Sequence, residues 1–191
     1  MNTFEGRLRE KLEPVLASPD PRDQISAYHD MPYALFHYDP EEEFELRKQL
    51  TLLTTRLMQR SKRVIRISLA ECLFEALESQ HPLADWFEIE RTAGVEDTIQ
   101  TITNVLESYA PLVELVAERM PKDADPRTDV VLINRVGALF PVYRTFSLLE
   151  QLKGQVIAPT VLFYPGMLDG ASGLKFMGVL DPEHNYRPKI F

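Results

Sequence analysis

A chain of 191 residues, 45% hydrophobic and 26% charged, has the size of one domain and far more apolar content than a disordered chain carries. Its apolar runs, such as Val130 to Ile133 and Val161 to Tyr164, fall well short of the roughly 18 residues a membrane-spanning helix needs, so no membrane association is expected. The 21 Lys and Arg stand against 29 Asp and Glu, a formal charge of -8, and a protein that grips nucleic-acid phosphates unaided normally carries a basic excess.

In chain order, Phe4, Leu8, Leu12 and Val15 recur at helical spacing, with Pro14 limiting the regularity of that helix. Tyr33-Ala34-Leu35-Phe36-His37-Tyr38 is aromatic and apolar in the manner of a buried strand. Asp39-Pro40-Glu41-Glu42 then provides a helix cap, a proline at the first helical position and a following glutamate. Leu46, Leu50, Leu53 and Leu57 mark the buried stripe of the next helix. Arg63-Val64-Ile65-Arg66-Ile67 is a β-branched strand that runs into a second capping box, Ser68-Leu69-Ala70-Glu71, and a helix with Cys72, Leu73, Ala76 and Leu77 on one face.

Leu83, Trp86 and Phe87 give a short helix up to Gly94. Val95, Ile99, Ile102, Leu106, Tyr109, Val113, Val116 and Met120 then step by four and three, with Pro111 predicting a kink or two helices in tandem. Asp129-Val130-Val131-Leu132-Ile133-Asn134 is the clearest strand and should lie inside the sheet. A helix is expected over Val142, Phe146, Leu149 and Leu152, with Pro141 at its start and Gly154 past its end. Val156 to Tyr164 is the next strand, irregular near Pro159 and ended by Pro165-Gly166. Leu174 to Leu180 can form one more.

This alternation predicts an α/β fold: one domain over 1–191, with a mainly parallel sheet flanked by helices on both faces. Residues 1–30 would be a helical extension and 181–191 a polar tail. The layering is Rossmann-like or P-loop-like, but the phosphate-binding loop is missing. None of the eight glycines falls in a G-x-x-x-x-G-K or G-x-G-x-x-G string, and the acidic Asp39 to Glu43 turn would repel a triphosphate. His29, His37, His81 and His184 are dispersed, so no metal or other cofactor is expected. His37-Tyr38-Asp39 reads as strand-end packing, Ser68 as a cap and Cys72 as a small hydrophobe. No catalytic constellation emerges, and the chain is not expected to be an enzyme. Arg60, Lys62, Arg63 and Arg66 form the one local basic cluster, for which a solvated turn beside a helix end is the favoured reading and phosphate binding the alternative. Polar residues that packing does not require are Arg135, Arg144, Tyr164, Asp169, Tyr186 and Arg187. These are candidates for partner binding, since Arg and Tyr anchor interfaces.

The string Tyr38-Asp39-Pro40-Glu41-Glu42-Glu43-Phe44-Glu45-Leu46-Arg47, followed by Arg63 to Ala70, Leu132 to Arg144 and Leu162-Phe163-Tyr164-Pro165-Gly166, resembles the BrxB family of the bacterial BREX phage-exclusion systems. The resemblance implies a core component of a multi-protein defence island, beside a methyltransferase, a large ATPase and PglZ, a protein similar to the alkaline phosphatases. The family carries no established catalytic residues to transfer. What the resemblance implies is a non-catalytic adaptor or assembly subunit with PglZ as first partner and other BREX subunits as further ones. The N-terminus, without a basic region followed by an apolar core, leads to the expectation of a cytoplasmic protein, and the acidic balance to that of no direct contact with nucleic acid. The alternative is a degenerate nucleotide-binding or nucleic-acid-processing enzyme with its site at the strand ends near Asp39, Asn134 and Arg135.

Overall fold

The β-branched and aromatic runs become strands because their side chains are buried on both sides of one sheet. In the computed structural model, which describes residues 3–25, 32–170, 173–180 and 188–191, β1 (Tyr33–Tyr38), β2 (Arg63–Ser68), β3 (Asp129–Asn134) and β4 (Thr160–Asp169) run parallel. The order across the sheet is β2-β3-β4-β1-β6, with β5 (Gly173–Phe176) paired to β4 and β6 (Lys189–Ile190) to β1. The chain is an α/β protein, as the alternation predicts. All of β3 is buried, whereas β2, at the sheet edge, exposes Arg63 and Arg66 and buries Ile67.

Right-handed crossovers decide which face each helix covers. From β1 the chain must pass over β4 and β3 to reach β2, and the helix that makes this passage, α4 (Glu43–Gln59), lies on one face. From β2 it returns through β3 to β4 in the opposite direction, which puts the intervening helices on the other. Successive side chains of a strand point to opposite faces, and β1 feeds both. Ala34, Phe36 and Tyr38 pack with Leu46, Leu50, Leu53 and Leu57 of α4, while Tyr33 and Leu35 belong to the second core.

The opening helix completes the first core. It consists of α1 (Phe4–Gly6), a π-helical turn Arg7–Leu12 and α2 (Glu13–Leu16). The widened turn immediately precedes Pro14, whose ring and missing N–H disturb an ordinary helical ladder. Leu8, Leu12 and Leu16 are buried. A short α3 (Arg22–Ile25) buries Ile25 beside them.

On the opposite face lie α5 (Leu69–Gln80), α6 (Leu83–Ala93), α7 (Val95–Asn104) with a π-helical extension Val105–Tyr109, α8 (Leu112–Arg119) and α9 (Thr145–Gln151). The long periodic stretch is thus two helices in tandem, broken just before Pro111. The Trp86 indole N–H donates to the carbonyl of Leu77 at 3.1 Å and ties α6 to α5.

Three sequence expectations need correction. The helix after β3 begins at Thr145, four residues beyond Pro141, because a 3-10 turn over Val136–Leu139 intervenes and uses Val136 and Leu139 as core residues. Val142 is buried too, but outside any helix, so apolar spacing had merged two separate segments. Pro165-Gly166 does not end β4. It is where β4 exchanges its parallel neighbour for an antiparallel one: Tyr38 pairs with Pro165, and from Gly166 onward the partner is β5. A Cβ at Gly166 would stand 2.2 Å from the Lys175 carbonyl oxygen and 2.7 Å from the Tyr164 ring, so only glycine lets the two strands approach here. Finally, Lys189–Ile190 lengthens the sheet instead of trailing as polar tail, and Phe191 is buried, its N–H donating to the carbonyl of Leu35 at 2.8 Å.

At the amino ends of the strands two cations of the basic cluster read from sequence, Lys62 and Arg63, are taken up by structural bonds. The Lys62 ammonium is buried and donates to the carbonyls of Ser18 at 2.6 Å and Arg127 at 2.5 Å. Arg63 grips Asp129 across the β2–β3 pair through Nε at 2.8 Å and Nη2 at 2.5 Å. Hydrogen bonding from Arg63 holds the Asp129 carboxyl below its usual range, against the opposing effect of burial. A depressed carboxylate stabilises the fold above its unfolded value near pH 4 and loses that contribution as pH falls through the folded value. Asp129→Asn is therefore expected to lower the urea midpoint at pH 7, with the gap from the parent closing towards pH 2 in a pH series of unfolding curves. Gly166→Ala is expected to cost about 2 kcal/mol or more through overpacking, measured as a lower midpoint with unchanged m-value.

Candidate functional site

In an open parallel sheet, ligands and partners meet the crevice beyond the carboxyl ends of the strands. Two of those ends are occupied by helix starts. The Ser68 hydroxyl accepts the Glu71 N–H at 3.3 Å and caps α5, as its sequence context requires. The Asp39 carboxylate accepts the Glu41 N–H at 3.0 Å and caps the 3-10 turn Pro40–Glu42 that leads into α4. Both capping readings stand.

β3 leaves the sheet differently. Asn134 ends the strand, and Arg135 follows in the left-handed region at φ 58°. A side chain in that conformation costs about 1 kcal/mol, and only then does the 3-10 turn begin. Arg135 is shared by two adjoining clefts. One, of about 240 Å³, is lined by Pro40, Glu43, Gly137, Pro165 and Met177. The other, of about 390 Å³, is lined by Arg47, Arg66, Ser68, Glu71 and Asn134.

Glu43 lines the smaller cleft. One of its oxygens lies 3.7 Å from Arg135 Nε, and the other accepts the Tyr38 hydroxyl in a short hydrogen bond. Burial, and then that bond to a carboxylate, push the Tyr38 phenol far above its ordinary value. Tyr38 is a neutral donor at any physiological pH. Its neighbour His37 faces elsewhere: Arg7 Nη1 lies 2.9 Å from His37 Nε2, and Arg7 also donates to the carbonyls of His37 at 2.9 Å and Phe191 at 3.1 Å. Burial, with Arg7 beside it, lowers the His37 imidazole. His37, Tyr38 and Asp39 thus serve three separate structural tasks. Among the described residues no group of three or more His, Cys, Asp or Glu is placed to hold a metal. Cys72 is buried, and that burial pushes its thiol up to about 11, the opposite of what a nucleophile needs.

The candidate partner residues are spread apart. Arg135 lies at the crevice. Arg144 is exposed at the start of α9 and lines a separate cleft of about 220 Å³ with Thr103 and Glu107. Tyr164 is fully buried, its ring 5.4 Å from that of Phe176. Asp169 ends β4, its carboxylate 4.0 Å from Lys175 Nζ. Tyr186 and Arg187 lie outside the described residues. Arg47 was missed as a site residue, and Arg66 stood out only as a member of the basic cluster; the structure brings both to Asn134 and Arg135. Arg47 carries no signal in the sequence beyond its position near the start of α4.

These features define an α/β protein whose strand-end crevice is lined by arginines and whose first strand leads into an acidic turn instead of a glycine-rich phosphate loop. The sequence model of the family described as "BREX protein BrxB" matches residues 65–190. A relative named "BREX protein BrxB", from Bacillus cereus (strain H3081.97), is 27% identical over 186 residues, covering 95% of both chains. The chain belongs to the BrxB family of BREX components, in keeping with the motif order. No solved structure matches it. Among the described residues no helix is long and apolar enough to cross a membrane.

Glycine suits the left-handed turn at residue 135 better than arginine does. Arg135→Gly is expected to leave stability unchanged or raise it by up to about 1 kcal/mol, whereas Arg135→Ala brings no such gain. Thermal unfolding of the two variants side by side checks this.

Proposed function

We propose that this chain is a non-catalytic adaptor of a BREX anti-phage complex, working in the cytoplasm and docking on PglZ first among its neighbours. The observation that carries this reading is Arg135. An arginine retained in a left-handed turn at the mouth of the crevice, where glycine would cost less, points to use of its side chain. Membership of the BrxB family supports work alongside other BREX subunits, and Arg is the residue type that anchors protein interfaces. Arg144 and Asp169 present further charge for docking, and Tyr186 and Arg187 belong to the same proposal. Tyr164, being buried, would act by shaping the strand end that Pro165 and Gly166 present.

The competing enzyme reading requires Asp39, Asn134 and Arg135 to act on a common substrate. The Asp39 carboxylate is engaged in capping Glu41, and Asp39 lines neither of the clefts that contain Arg135. Co-expression with PglZ is expected to give a shared gel-filtration peak, and Arg135→Glu or Arg144→Glu is expected to weaken association about tenfold or more. Separate elution of the two proteins at micromolar concentration would remove PglZ as the direct partner.

A further inference from the structure

The cleft between α4 and the amino end of α5 brings together cations that the sequence separates widely. Arg47 comes from the second turn of α4, Arg66 from β2 and Arg135 from the turn after β3, and all three line the same 390 Å³ space. Arg66 reaches only a long 3.4 Å contact with Thr51 Oγ1, and Arg47 lies 5.7 Å over the Phe44 ring. Among the described residues neither is in an ion pair. Arg135 has Glu43 at 3.7 Å, beyond hydrogen-bond distance. Glu71 also lines the space, so three guanidinium groups meet one carboxylate within it.

A second, independent feature is the floor of the cleft. Asn134 is 4% exposed and lines this space, and its carboxamide, which makes no hydrogen bond to the described residues, opens onto the cleft. A side-chain amide that faces a cleft with no partner in the protein offers two N–H donors and a carbonyl acceptor to a ligand there. Asn134 sits directly beside Ser68 in the β2–β3 register, which sets it next to the first turn of the 12-residue α5, where free N–H groups and the helix dipole favour an anion.

We propose that this cleft binds the phosphoryl group of a small molecule, either free phosphate or a phosphate monoester. Several guanidinium forks and an amide offer more donors than one carboxylate accepts, whereas a tetrahedral phosphate dianion takes them from several directions. The volume falls within the range of small-ligand sites. A longer polyphosphate would run against Glu43 and the acidic Asp39 to Glu43 turn, which limits the ligand to one phosphoryl group in the cleft. The inference does not depend on the adaptor reading, since a docking protein can carry a ligand of this kind.

The test is calorimetric titration of the full chain with inorganic phosphate and, separately, with adenosine 5′-monophosphate. Saturable binding is expected, with Arg47→Ala and Arg66→Ala each weakening it about tenfold while leaving the melting temperature of the unliganded protein unchanged. Asn134→Asp keeps the shape of the buried side chain and is expected to abolish binding by placing a negative charge at the floor. Tighter binding of the nucleotide than of phosphate assigns an esterified ligand, and equal binding assigns the free ion. Absence of heat and of any melting shift with both anions up to about 10 mM overturns the proposal. So does binding that survives both arginine substitutions, or binding seen only with a single-stranded oligonucleotide.

Discussion

The crossover from β1 to β2 is the constraint on which the rest of this structure depends. Because β4 and β3 lie between those two strands, α4 has to span the sheet on one face while all the returning helices lie on the other. The leucine stripe of α4 is therefore buried along its length, and the opening helix closes over the same face. The crossover also opens the strand-end crevice, since α4 starts beside β1 and the chain leaves β3 towards the opposite side. Topology thus opens a crevice, and the residues at the strand ends decide what it can do.

Those residues divide the sheet electrostatically. At the amino ends, cations are consumed by structure: Lys62 by backbone carbonyls, Arg63 by Asp129. At the carboxyl ends, Arg47, Arg66 and Arg135 line a shared space without close ion pairs. Partial desolvation in a cleft makes such charges act more strongly on a ligand or partner than the overall charge of -8 implies. The net charge of a chain describes its solubility and steering at long range; a local cleft of opposite sign is invisible to it. The acidic turn at Asp39 to Glu43 supplies the complementary boundary, with Glu43 placed between the buried Tyr38 hydroxyl and Arg135.

The strand-end region is also where local rules are broken at a cost. Arg135 occupies a left-handed conformation, Glu43 has one buried carboxylate oxygen without a hydrogen bond, and Gly166 is enclosed so closely that a single methyl group has no room. At other positions local preference and tertiary packing agree: Ser68 caps, α4 carries acids in its first turn, and Trp86 finds a partner for its indole N–H.

Local sequence determined the elements that depend on near neighbours. The aromatic run Tyr33 to Tyr38, the cap-and-leucine pattern after Asp39, the Ser68 cap and the apolar β3 each bury or bond groups a few residues apart, and their spacing alone specifies them. The order of elements determined the α/β class, and the order of motifs determined the BrxB family. Tertiary structure alone decided the rest. Pro165-Gly166 reads locally as a strand end, but the chain continues because a second strand, β5, is brought alongside. Lys189–Ile190 is too short and polar to signal a strand until β1 offers an unpaired edge. Arg47, Arg66 and the pair Asn134-Arg135 belong to three separate segments of the chain, and they converge only because strand order sets β2 against β3 while α4 crosses above them. Pairings over such separations depend on which surfaces meet after collapse, and no local window of sequence contains that information.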